Sequence, residues 1–168
     1  GDPFTVTITI NPEPVATATN FLVAICSDVA LNRNLQLDIT GGLASNFVWV
    51  AASNLSVSGE STSPQTTSTI NNVLTNITGS PQVVIYTVTP TSTPNGCAGN
   101  PYTVTVTVNP EPLGVSTTDV TCSDDPLAHN LNLDISNGVG ATFSWIATDN
   151  ANVTCESLSA KLTSTIND

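Results

Sequence analysis

The chain of 168 residues carries two basic side chains, Arg33 and Lys161, against thirteen acidic ones, for a net charge of −11. A surface of that sign repels phosphate backbones and anionic lipid headgroups, which argues against nucleic-acid binding and peripheral membrane roles. Charged residues of both signs make up only 9% of the chain, where about a quarter is usual, so the polar surface is built from Thr, Ser and Asn.

The chain opens with FTVTITINPEP at Phe4–Pro14, in which apolar and Thr residues alternate with the period of a half-buried strand. The same period recurs in NLQLDIT (Asn34–Thr40), NFVWVA (Asn46–Ala51), NLSVSGE (Asn54–Glu60), TSTINNVLT (Thr67–Thr75), QVVIYTVTP (Gln82–Pro90) and YTVTVTV (Tyr102–Val108). Turn residues separate these runs at Thr40–Gly42, Gly79–Pro81 and Thr93–Gly96. No stretch shows a convincing helical period. Roughly six to eight short strands per hundred residues, with a Trp in the middle, predict an all-β fold of antiparallel immunoglobulin-type β-sandwiches without significant helix. No apolar run approaches the ~20 residues a helix needs to cross a bilayer, so membrane insertion is not expected. A chain that starts at Gly1 with no Met and no leader reads as a piece of something longer.

The closing phrase returns 98 residues later as YTVTVTVNPEP at Tyr102–Pro112. Cys26–Asn72 laid over Cys122–Asp168 without a gap matches at 23 of 47 positions, including both CSD triplets, Trp49 with Trp145, and both TSTIN runs. That density marks tandem duplication. The chain therefore divides into 1–14, the closing strand and linker of a preceding repeat; 15–112, a complete repeat ending in an NPEP linker; and 113–168, the N-terminal part of the next repeat. Pro12, Pro14, Pro110 and Pro112 cannot donate to a ladder and hold their neighbours extended. They end the strand and make each joint a short, stiff linker, so the neighbouring repeats of the same chain are the first expected partners.

The closing CAGNPYTVTVTVNPEP (Cys97–Pro112), the opening CSD and the central F-x-W (Phe47–Trp49, Phe143–Trp145) resemble the PKD-like repeats of very large Bacteroidota cell-surface proteins such as gliding-motility adhesins. The resemblance implies an immunoglobulin-like sandwich repeated many times in a secreted, extracellular cell-surface polypeptide, exported by type IX secretion and contacting a substratum or surface polysaccharide. The WDFGDG-like turn of ordinary PKD domains is absent, because VAASN follows Trp49 and IATDN follows Trp145.

Cys26 precedes the centre of the complete repeat and Cys97 lies just before its closing strand, so a disulfide between them is expected. Closing about 70 residues, it would contribute on the order of 4 kcal/mol and imply an oxidising compartment. Two free thiols are the alternative. Cys122 would find its mate beyond Asp168, or pair with Cys155, which stands in the place of Gly59. Trp49 and Trp145 are expected in the core; sugar-stacking platforms are the alternative reading. His129, aligned with Arg33, is expected on a surface loop, and no catalytic partner accompanies it. The acidic residues Glu13, Asp28, Glu111 and Asp124 are weak candidates for calcium between repeats; no other cofactor is expected. Asn54, Asn76 and Asn152 open N-x-[ST] triplets. Phe4–Ile10 also matches the closing strand that 113–168 lacks, a correspondence attributed to where the piece was cut.

These features favour a non-enzymatic stalk or spacer of a long adhesin, serving cell adhesion and gliding motility. An accessory binding or spacer module of a secreted hydrolase is the alternative.

Overall fold

The computed structural model describes residues 1–93 and 95–167; Pro94, in the expected Thr93–Gly96 turn, and Asp168 lie outside them. Two compact units are present: Gly1–Ile77 with Pro81–Asn109, and Thr78–Ser80 with Pro110–Asp168. Among the described residues the regular elements are strands and short 3-10 turns, so the fold is all-β.

In chain order the first unit contains β1 (Asn20–Cys26), β2 (Arg33–Asn34), β3 (Ser45–Ala51), β4 (Val57–Ser58), β5 (Thr69–Ile70), β6 (Thr75–Asn76), β7 (Gln82–Ser92) and β8 (Tyr102–Asn109). Its main sheet has the order β1-β8-β7-β3, and the antiparallel pairs β2/β5 and β4/β6 supply the facing layer. The alternation read from the sequence decides what is buried. Tyr102, Val104, Val106 and Val108 of β8, Val84, Tyr86 and Val88 of β7, and Phe47, Trp49 and Ala51 of β3 all turn inward. They meet Leu31, Leu35, Ile39, Val57, Ile70 and Leu74 from the facing layer. Each fully buried aliphatic or aromatic side chain stabilises the unit by roughly 1.5–3 kcal/mol. The Trp49 indole packs edge-on against Tyr86 at 5.8 Å, and its Nε1 donates to the Thr67 carbonyl at 3.0 Å.

Three expectations are corrected. First, NLQLDIT is not a strand beyond Asn34: Leu35–Asp38 form a 3-10 turn whose first amides are capped by the Asn34 side chain, which accepts from Gln36 N. The buried residues are Leu35 and Asp38, three apart, as a three-residue turn requires, while Leu37 between them is 78% exposed. Second, NLSVSGE and TSTINNVLT keep only two-residue strands, broken by turns. Gly59 in the first of these has φ +94, and a Cβ there would lie 2.0 Å from the Val73 carbonyl oxygen, so only glycine fits. Third, the sandwich is not wholly antiparallel. β1 and β8 pair in parallel, with Asn20 opposite Thr103 and Cys26 opposite Asn109. The first and last strands of the unit thus run side by side in the same direction, so the chain enters at one pole and leaves at the other.

The N-terminal run Phe4–Ile10 joins no ladder, and Phe4, Val6, Ile8 and Ile10 are exposed. The two following prolines differ. Pro12 is exposed, whereas Pro14 is fully buried, its carbonyl packed so closely on Gly99 that a Cβ there would meet it at 2.1 Å. Pro14 is therefore part of the sandwich and not a free spacer. Pro110 is half-buried and Pro112 exposed; β8 stops at Asn109, the residue before the first of them.

The second unit repeats the local geometry. β9 (His129–Asn130) pairs with β10 (Thr165–Ile166), as β2 pairs with β5. Leu131–Asp134 form a 3-10 turn capped by Asn130, and Trp145 Nε1 donates to the Thr163 carbonyl at 3.1 Å. Among the described residues of this stretch after Asn109, none is buried.

Candidate functional site

A polar cluster of the first unit is built on Arg33. β2 fixes its backbone opposite Ile70, and its guanidinium donates to a carboxylate oxygen of Asp38, at the end of the 3-10 turn. The Asp38 side chain is only 2% exposed, and the Arg33 side chain 28%. The second Asp38 oxygen accepts from the Tyr102 hydroxyl at 3.3 Å, and the Asp38 backbone carbonyl accepts from Thr17 N at 2.8 Å. The Arg33 guanidinium also lies 4.8 Å from the centroid of the Phe21 ring, which meets Tyr102 edge-on at 5.5 Å. Burial, followed by the Asp38 charge, pushes the Tyr102 hydroxyl well above its ordinary value, so it remains a donor.

A buried carboxylate is tolerable only when paired and hydrogen-bonded. Here a permanently charged guanidinium and a neutral phenol meet that need. The cluster ties β1, β2, β8 and the 3-10 turn together, and among the described residues the Arg33 Nε is its buried polar atom without a hydrogen-bond partner. The sequence reading missed it, since Tyr102 of β8 reaches the local Arg33–Asp38 pair from 64 residues along the chain.

At the matching place in the second unit, His129 replaces Arg33, Asp119 replaces Val23, and Thr117 replaces Phe21. The His129 Nδ1 contacts the Asp119 carboxylate, and Nε2 lies 2.7 Å from Asp134 Oδ2. Thr117 Oγ1 donates to the other Asp134 oxygen at 3.1 Å. The hydrogen bonds to Asp134 and then Asp119 raise the His129 pKa above its usual value, and the same contact with His129 lowers that of Asp134. His129 is therefore no loop bystander, as the sequence suggested, but the first residue of β9, with a side chain 16% exposed.

The expected Cys26–Cys97 disulfide is absent, and all four cysteines are free thiols. Cys26 ends β1 opposite Asn109. Cys97 sits at the other end of the sheet, where its backbone exchanges hydrogen bonds with Ser92. The eight residues of β8 between these ends span about 23 Å, far beyond the ~6 Å Cα separation of a cystine. Cys122 and Cys155 are both exposed, and Cys155 holds a left-handed φ of 71 where Gly59 stands in the first unit.

The CSD triplet is a crossing point. Ser27 N donates to the Asn109 carbonyl, Ser27 Oγ accepts from Asn76 N, and Asp28 N donates to the Leu74 carbonyl. The Asp28 carboxylate takes the Thr75 hydroxyl. Among the described residues no three His, Cys, Asp or Glu side chains gather in a metal-holding group.

Trp49 is buried as expected, 4% exposed, but Trp145 is only half-buried, since the strands that would cover it have no counterpart in 113–167. Of the N-x-[ST] triplets, Asn76 is fully buried and donates to the Val108 carbonyl. Asn54 donates to the Val83 carbonyl and caps Ser56 N. Both side chains serve the fold.

Residues 23–112 and 119–168 each match the family described as PKD-like domain. No curated protein matches the chain.

Proposed function

The chain belongs to the PKD-like domain family, and from that premise we propose that it is a non-enzymatic stalk segment of a long secreted cell-surface adhesin. The observation that carries this reading is the parallel pairing of β1 with β8. A unit that the chain enters at one pole and leaves at the other can be strung end to end, whereas a unit with both termini at one pole would hang from its neighbours as a side branch. The tandem duplication and the proline-bounded strand ends support the same reading. In this account the repeats hold a distal region away from the cell, where it meets surface polysaccharide or the substratum, and the parent protein serves attachment and gliding after export by the type IX route.

The test is stepwise deletion of repeats from the parent gene, with attachment and gliding scored on a glass surface. Attachment should fall in steps as the stalk shortens while secretion continues. Undiminished attachment after loss of all repeats would overturn the proposal, as would loss of a secreted hydrolytic activity in their place.

A further inference from the structure

We propose that His129 is a pH-operated clasp in the second unit, closed when the imidazole carries its second proton and opened when that proton leaves. The geometry requires the charged form. Both ring nitrogens face carboxylate oxygens, Nδ1 that of Asp119 and Nε2 that of Asp134. An ionised carboxylate only accepts, and a neutral imidazole has one N–H to give, so both contacts hold together only in the imidazolium.

The two carboxylates belong to different segments. Asp134 ends the 3-10 turn, whereas Asp119 lies in the irregular stretch that precedes the loop at Cys122. The pocket around the ring is otherwise walled by Val115, Ser116, Thr117, Leu127, Leu131 and Ile166, all uncharged. Asp119 and Asp134 are thus the titratable groups that face the imidazole from the elements packed on it. Loss of one proton strands one carboxylate, and the Asp119 contact is the one to open, because Thr117 also holds Asp134 and the Asp119 side chain is 48% exposed. The stretch Thr118–Val120 then loses its side-chain tie to the ring, while Thr117 keeps its bond to Asp134. The first unit has no such response, because Arg33 keeps its charge at every physiological pH.

The chain contains one histidine, so its ring resonance can be followed by NMR in the intact chain without ambiguity. The ring should titrate at a higher pH in the folded chain than in urea, where a value of about 6.5 is ordinary. Asp119→Asn and Asp134→Asn should each lower the folded midpoint. The Val115 and Val120 methyl resonances should titrate with the same midpoint as the ring, and His129→Arg should abolish that movement.

A ring midpoint equal in folded and unfolded chains would overturn the proposal. A raised midpoint with pH-independent Val115 and Val120 methyls would also overturn it, since the ion pair would then open nothing.

Discussion

The two units share their local structure and differ in what covers it. In both, an Asn caps a 3-10 turn, a two-residue strand pair follows the same register, and the Trp indole donates to a Thr carbonyl eighteen residues on. The Asn54 and Asn150 backbone amides also each donate to a Glu carboxylate six residues on. Yet Leu35 is fully buried while Leu131 is half-buried, and Trp49 and Trp145 differ in the same way. The first unit has β7 and β8; residues 113–167 contain no counterpart. Caps, turns and short pairs are thus set by sequence within a few residues, whereas burial comes from two long strands far along the chain.

Breaking the comparison at the tryptophans should have the largest effect. Trp49→Ala removes a buried indole, and denaturant unfolding should show a loss of about 3–5 kcal/mol in the first unit. Trp145→Ala removes a half-buried indole and should cost far less. Arg33→Met should come next, with a loss on the order of 3 kcal/mol in the same measurement, because it leaves the buried Asp38 carboxylate without its cation. Gly59→Ala should cost roughly 1–3 kcal/mol from its left-handed backbone and its contact with the Val73 carbonyl. Cys155→Gly, the reciprocal exchange, should be neutral or stabilising by up to about 1 kcal/mol.

Alkaline titration sharpens the contrast, since both tyrosines lie in the first unit. Burial first, and then nearby Glu60 or Asp38, raise the Tyr86 and Tyr102 pKa values well above 10. The neutral phenol is the form the fold favours. The stabilisation is therefore complete below pH 10, the unfolded value, and is lost as pH rises above it. Tyrosinate absorbance should appear together with unfolding of the first unit. A smooth titration near pH 10 in a folded chain would contradict the buried placement.

Much of the sandwich was legible in the sequence, and the reason is physical. Alternation in Tyr102–Val108, Gln82–Pro90 and Asn46–Ala51 states which face is apolar, and burial follows that face. Alternation does not state direction, since parallel and antiparallel strands share a period of two, so the β1–β8 pairing stayed hidden. Leu35-Gln36-Leu37-Asp38-Ile39 imitates a strand, yet its buried members are Leu35, Asp38 and Ile39, spaced by a turn and not by alternation. The disulfide expectation failed for a related reason: sequence spacing says nothing about which pole of a sheet a cysteine occupies. The Arg33–Asp38–Tyr102 cluster joins residues from both ends of the unit, and the signal that could have raised it was a lone Arg five residues before an Asp in an otherwise uncharged stretch. His129 gave a similar hint, as the replacement of that Arg in the next copy.

The central claim is that the chain passes through the first unit from pole to pole along parallel terminal strands. Cys26 and Cys97 mark the two poles; Cys26 is exposed and Cys97 half-buried. Spin labels on these two residues, in a chain carrying Cys122→Ser and Cys155→Ser, give their separation by pulsed electron resonance. The account predicts a single narrow distance above about 20 Å. A distance under about 10 Å, or formation of a cystine between them under mild oxidation of the folded chain, would contradict it.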